Sequence, residues 1–595
     1  MIDRKTKLRW RRKVRRSKLQ AADTAQAAEK HIDRHFIYRL GRLWSVRRFL
    51  LTWFSLIVIL MTGLVLQLQA LSPYYQTIQP VTGGTYNEGI IGSFTNANPL
   101  YAIGPVDSAV SQLVFSGLLR YDRQGGVVGD LAKSWETNQS GSIYTVVLRD
   151  NLRWHDGKPL TADDVIFTYE TIKNPDIRSP LNSSWQEIEV TKKDDKTIIF
   201  TLPGSFSAFP YYLTNGIVPQ HHLSGVPASQ LRSVPFNTVS PVGSGPFKWD
   251  KLEVVGNTTE TREERIALTA FEEYGLGRPE INRFVVRTFR EDQAMIDSFE
   301  RQELDGMAGL EYMPTSIGQN DAYSYNFPLA SATMTFFRTT HDVLKDNSVR
   351  QALVLGIDKS EIMGELGYPV KALDGPFLRA QPGYSAKHAQ VTGNPKEAVK
   401  LLEQNGWKVG ADGIRQKGTQ RLSFRLALEA SEEYARVSQQ LQKQWRALGA
   451  EVELIPQSGV DLQSTLAFHT YDALLYGISI GPEPDVFAYW HSSQADVRSP
   501  NRLNFSEYTS DVADASLEAG RTRSNDKLQD VKYEPFAKAW QADAPALALY
   551  QPRFLYVTQA KIPILNQHTM SSGTERFANV HDWMIRRNPV DNPGL

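Results

Sequence analysis

Apolar and polar positions alternate along residues 144–149: Tyr144, Val146 and Leu148 fall on one face, Thr145, Val147 and Arg149 on the other. A period of two predicts a strand with one buried face. Asp150-Asn151 turns the chain, and His155-Asp156-Gly157-Lys158-Pro159 supplies a second turn. From Thr161 the period lengthens to that of a helix, with Val165, Phe167 and Ile172 as apolar positions. Thr161 followed three residues later by Asp164 resembles a capping box at its start. The same patterns predict strands at 84–91, 197–202, 266–271, 281–287, 422–428 and 450–455, and helices at 106–119, 291–302, 348–357, 395–405 and 435–448. Alternating helices and strands in the second half point to an α/β fold.

One segment breaks these patterns. Residues 49–66 carry no charge and are rich in Leu, Ile, Val and Phe. At about 1.5 Å per residue such a helix spans roughly 27 Å, close to a bilayer core. The stretch before it, residues 1–48, holds sixteen Lys or Arg against four Asp or Glu, and the remainder holds fifty against sixty-one. The net charge of +1 thus hides a basic start and an acidic body. Lys and Arg on one flank place that flank in the cytoplasm, and Trp44 and Trp53 suit the interface. The apolar run begins too late for a secretory signal of 15–30 residues, and Leu68-Gln69-Ala70 is a poor cleavage site. The expectation is an uncleaved, single-pass anchor with the large C-terminal part outside the cell. With no cysteine there is no disulfide, lipid-modified thiol or thiolate ligand. The basic tail is read as a topology signal, with no nucleic-acid partner expected.

The order of several blocks resembles the bacterial extracellular solute-binding proteins of family 5, which serve ABC transporters of oligopeptides, dipeptides and nickel. These blocks are SGLLRYDRQGGVVGDLAKSW at 116–135, YTVVLRDNLRWHDGKPLTADDVIFTYE at 144–170 and SPVGSGPFKW at 240–249. LTAFEEYGLGRPEINRF at 268–284, QELD at 302–305, VRQALVLGID at 349–358 and Tyr471-Asp472 follow in the same order. The resemblance covers roughly residues 82–560. It implies a two-lobed periplasmic-binding-protein-like α/β fold with an extra subdomain, closing over ligand by hinge motion. The expected division is a basic tail at 1–48, anchor at 49–71 and linker at 72–82. Lobe I then spans 83–110 and 239–332, the extra subdomain 111–238, lobe II 333–543, and a lobe I return with tail 544–595. The implied function is capture of a peptide or other small solute for an ABC permease by a membrane-anchored monomer. A membrane-tethered receptor or structural factor of the same fold, or a hydrolase, is the alternative.

The residues themselves offer little catalytic chemistry. Asp163-Asp164 belongs to a helix start, Asp194-Asp195 to a KKDDKT hairpin, and neither gives two carboxyls facing each other across a cleft. Gly243-Ser244-Gly245-Pro246 lacks the spacing and Lys of a phosphate loop and reads as a turn. His221-His222 is the one histidine pair, and adjacent imidazoles on an extended chain would point apart. No enzyme activity, cofactor or metal is therefore expected.

Ligand contacts are expected from Asn96 in the loop at 96–105, and from Tyr476, Ser479, Glu483, Asp485, Trp490 and Tyr550. Peptide-binding relatives resemble the 471–490 stretch with a Trp and then an Asp that pairs with the ligand's amino terminus. Here Ile478 and Gly481 stand at those places, with Glu483 or Asp485 nearby as substitutes. Arg338 stands where many relatives have Asn, and at a lobe junction it would hold a carboxylate or phosphate of the ligand or else form an inter-lobe salt bridge. Together these shifts predict a ligand without an essential free amine.

Overall fold

The computed structural model describes residues 47–591, except 257, 259–261, 319–321, 380, 482, 500–501, 524, 563–564 and 566–567, and short helical pieces between 13 and 26. Most of the basic tail, Trp44 included, lies outside the described residues. The chain forms two compact units: Met1–Pro80 with Arg587–Leu595, and Val81–Arg586.

In the first unit a helix of 29 residues, Arg47–Tyr75, contains the uncharged run. Its described large apolar side chains, Phe54, Ile59 and Leu60 among them, are exposed. Among the described residues no helix is long and apolar enough to cross a membrane; the side chains of Leu50 and of 68–80 lie outside them.

The second unit is built on two large sheets. The first runs in the order Tyr323–Pro328, Arg553–Thr558, Gly306–Ala308, Thr85–Ile91, Arg283–Phe289, Glu263–Ala270, Phe247–Val255. Thr85–Ile91 at its centre pairs in parallel with both neighbours, and the rest is antiparallel. The second sheet runs Lys371–Ala372, Ala546–Gln551, Ser331–Phe337, Ala473–Ser479, Ser423–Glu429, Glu451–Gln457. Its central strands are apolar on both faces: Leu475, Leu547 and Leu549 enter one core, Met334, Phe336 and Leu474 another. Helices such as Glu432–Ala447 and Asp526–Asp543 cover those faces, which is why these strands read as continuous apolar runs.

The chain passes between the sheets at Leu329–Ala330 and again at Pro552. The first passage precedes Ser331–Phe337, just ahead of the expected start of the second lobe at 333; the return begins at Arg553, after the expected 544, because Ala546–Gln551 belongs to the second sheet. The passages are tied together, since the Leu329 amide donates to the Pro552 carbonyl at 2.8 Å and Gln551 Nε2 donates to the Leu329 carbonyl at 2.7 Å.

Between Thr85–Ile91 and Phe247–Val255 of the first sheet the chain inserts a separate four-stranded antiparallel sheet, Ala132–Thr137, Ile143–Leu148, Thr197–Thr201, Glu189–Asp194, with the segments around it called the insert. Tyr144, Val146 and Leu148 are buried as their alternation predicts. The helix Ala162–Lys173 starts with the capping box of Thr161 and Asp164, reciprocal hydrogen bonds included. Trp154, Trp185 and Phe200 join Tyr86 and Phe284 of the first sheet in one continuous core.

Candidate functional site

The loop after Ala473–Ser479 is fixed to the first passage between the sheets. The amides of Ile480 and Gly481 both donate to the Ala330 carbonyl at 2.9 Å. Gly481 has φ of +79°, in the left-handed region that favours glycine, and its carbonyl accepts from Gln381 Nε2 at 2.6 Å. The chain reverses there and carries Glu483 and Asp485 toward the insert. Asp485 is neutralised: its Oδ2 lies 2.9 Å from Arg521 Nη2, and the Arg521 guanidinium stacks 4.3 Å over Phe487. That guanidinium also faces Phe206 of the insert at 5.9 Å. Glu483 is half-buried and makes no ion pair among the described residues. Burial, and then Asp526, push its carboxyl above the usual range, against the pull of the Ser207 hydroxyl. Tyr211, pushed up to about 12 by burial first, also feels the Glu483 charge.

Beside this seam lies a cavity of about 380 Å³, lined by Tyr121, Trp185, Tyr211, Tyr212 and Asn215 of the insert, with Ser572 among others. Tyr212 belongs to both, for its hydroxyl, raised chiefly by burial, also feels Asp485. A second cavity, about 330 Å³, sits within the second sheet's layers against Tyr476, Ser479, Tyr489 and Phe505. Aromatic rings interspersed with hydroxyl and amide groups suit a small organic ligand.

Comparison with known proteins decides the family. The model of the bacterial extracellular solute-binding proteins, family 5 (middle region), matches residues 126–499. The chain belongs to that family. It is 27% identical over 492 residues to the oligopeptide-binding protein AppA of Bacillus subtilis, covering 80% of this chain and 87% of AppA. The structure of B. subtilis AppA in complex with a nonapeptide superposes with a TM-score of 0.69 at 25% identity, covering 85% of this chain and 100% of AppA's. That of NikZ from Campylobacter jejuni in complex with Ni(L-His) gives 0.69 at 25% identity over 84% of this chain and 99% of its own. AppA is an oligopeptide-binding protein by name, and the two-lobed α/β fold of the solute-binding proteins is common to these relatives.

Within this family 5 chain the sequence-predicted residues separate by their surroundings. Glu483 and Asp485 stand at the seam, and Tyr476 and Ser479 line the second cavity. Trp490 and Tyr550 are fully buried: Trp490 packs on Phe336 and Trp540, and the Tyr550 hydroxyl donates to Glu433 at 2.6 Å. Asn96 is a loop former, its Oδ1 accepting from the Asn98 amide at 2.8 Å and its own amide donating to Asp107 at 3.1 Å.

Arg338 follows the strand end farthest from the passages, about 23 Å along Ser331–Phe337 at roughly 3.3 Å per residue. Its Nη1 donates to the His469 carbonyl at 2.8 Å. Among the described residues Arg338 makes no ion pair, and its guanidinium is engaged with the backbone of its own sheet's layers. Ser207, Tyr211 and Arg521 were not singled out in the sequence; the aromatic run at 205–214 was the available signal.

His221 and His222 also differ from expectation. They lie on a helical turn, Gln220–Leu223, where an extended chain was assumed, and their rings are 4.4 Å apart with both Nε2 atoms turned to Asp156.

Proposed function

We propose that this chain captures a peptide or peptide-like solute at the seam between its insert and second sheet and delivers it to an ABC transporter permease. The observation that carries the reading is Glu483, a half-buried carboxylate without an ion pair, beside an aromatic cavity in a family of solute-binding proteins. A buried charge of this kind gains most when a cation arrives. Arg521 occupies Asp485, which leaves Glu483 as the anchor for a ligand ammonium. This reverses the ligand preference inferred from Gly481 and Arg338, because Arg338 lies away from the seam and Glu483 stands two residues past Gly481. The names of the relatives, an oligopeptide-binding protein and a nonapeptide complex, support the same ligand class.

The division into lobes, insert and anchor belongs to the same proposal. The uncharged run within Arg47–Tyr75, exposed on all sides and preceded by sixteen basic residues, supports a membrane anchor with the solute-binding part outside.

Titration calorimetry with a free-amine peptide and its N-acetylated form tests the anchor. The free amine should bind at least about tenfold more tightly, and Glu483→Gln should abolish the difference, since a charged hydrogen bond contributes roughly 1.5–3 kcal/mol. Equal binding of both forms by the wild-type chain overturns the assignment.

A further inference from the structure

Three side chains of the insert that line neither cavity converge on one another. His221 Nε2 lies 2.8 Å and His222 Nε2 3.1 Å from the same atom, Asp156 Oδ2. One ligand atom from each of the three lies within 4.8 Å of the others. Donors bound at 2.0–2.2 Å to one tetrahedral ion stand about 3.3 Å apart, so the cluster needs only small adjustments to close around a metal. All three side chains remain reachable from solvent, at 23%, 39% and 24% exposure for His221, His222 and Asp156.

The arrangement is held from behind. The Lys158 amide donates to Asp156 Oδ1 at 3.1 Å, which fixes the carboxylate and leaves Oδ2 for the imidazoles. Gly157, with φ of +84°, makes the tight reversal that brings Asp156 out, and the Trp154 amide closes the turn on the Lys158 carbonyl at 2.9 Å. The helical turn bearing both histidines is pinned at its start by the Gln220 amide, which donates to Asp164 Oδ1 at 3.0 Å. Asp164 Oδ2 in turn accepts from the Thr161 amide at 3.0 Å. The His221 ring packs edge-on against Trp154 at 6.3 Å, and the His222 ring lies 6.1 Å from Phe236. These contacts hold the two rings in place.

We propose that Asp156, His221 and His222 form a surface site for a divalent transition metal ion such as Zn²⁺ or Ni²⁺. Two imidazole nitrogens and one carboxylate oxygen suit borderline-soft ions and disfavour Mg²⁺ and Ca²⁺, which require oxygen-rich shells. Three protein ligands leave a fourth position for water or an outside donor. Both histidines coordinate through Nε2, so each carries its proton on Nδ1, and binding competes with protonation. The site is independent of the solute seam and stands whether or not the peptide reading holds.

The test uses the full chain, prepared without a histidine tag and stripped with a chelator, titrated with ZnCl₂ and NiCl₂ by calorimetry. One ion per chain should bind saturably, more weakly at pH 5.5 than at pH 7.5, and Co²⁺ should give a tetrahedral visible spectrum. His222→Ala should weaken binding at least tenfold, and His221→Ala with His222→Ala should abolish it. Asp156→Asn serves as a second variant that keeps the side-chain volume, with the thermal unfolding of every variant followed by circular dichroism. Absence of saturable binding, or wild-type stoichiometry in the folded double variant, overturns the proposal.

Discussion

The imidazole of His155 donates from Nε2 to the Gly245 carbonyl at 3.0 Å, while its Nδ1 accepts from the Gly243 amide at 3.2 Å. A single neutral tautomer satisfies both bonds. The turn after Trp154 is thereby locked to the Gly-Ser-Gly segment that leads into Phe247–Val255, joining the insert to the first sheet.

Acid should weaken that lock. Burial holds the His155 pKa down at about 4, against 6.5 for a free side chain. The unfolded chain therefore takes up the proton first, and stability falls as pH drops from 6.5 to 4, by roughly 3 kcal/mol in full. Asp130 has the opposite sign: burial raises it to about 6, so its contribution is present in acid and lost as pH rises. Denaturation midpoints at pH 7 and pH 4.5 should show a smaller acid loss in His155→Gln and a larger one in Asp130→Asn than in the wild type. An unchanged acid loss in His155→Gln would refute the assignment.

The core of the first sheet contains a buried ion pair that costs more to break than to replace. Arg576 Nε donates to Glu88 Oε1 at 3.2 Å, and both side chains are almost wholly buried. Tyr556 donates to Glu88 Oε2 at 2.7 Å, which leaves Tyr86 to donate to Tyr556 at 2.6 Å. Arg576→Met strands the carboxylate and should cost about 3–5 kcal/mol, whereas Glu88→Gln with Arg576→Met should recover most of it. Urea midpoints of the three chains check this; equal losses in single and double variants would contradict it.

Arg338→Ala should leave solute affinity within about twofold of wild type and lower the melting temperature. The guanidinium holds the carbonyl of His469, a residue at φ of +51° that ends the helix Gly459–Phe468. Charged hydrogen bonds of this kind contribute roughly 1.5–3 kcal/mol. A large affinity loss without a thermal shift would return Arg338 to the binding site.

Protease added to intact cells should digest residues beyond the anchor and leave a small protected N-terminal fragment. Full protection of the solute-binding part would contradict the outward orientation.

Much of the fold was legible because local and tertiary preferences agree. The capping box at Thr161 and the alternation from Tyr144 are set by a few neighbouring residues, and the packed structure keeps both. The site was legible only in part. Tyr550 and Trp490 are aromatic whether they line a cleft or fill a core, and only packing across the second sheet separates the two. Arg338 was misplaced for a related reason: its position in the chain fixes the strand but not which end of that strand meets the other sheet. Glu483 became distinguishable from Asp485 only through Arg521, which lies 36 positions further along the chain.

The tie between Leu329 and Pro552 has a mechanical consequence. Two straps, each a residue or two long and bonded to one another, resist twisting because rotation would shear the 2.8 Å contact. Flexing about the line through both straps costs far less. The second sheet and its helices can then swing along one arc only. Whatever occupies the seam sets how far the swing proceeds, so cargo bulk is converted into an angle. A partner gripping the outer surfaces of both halves can sense a loaded carrier by that angle, without touching the cargo.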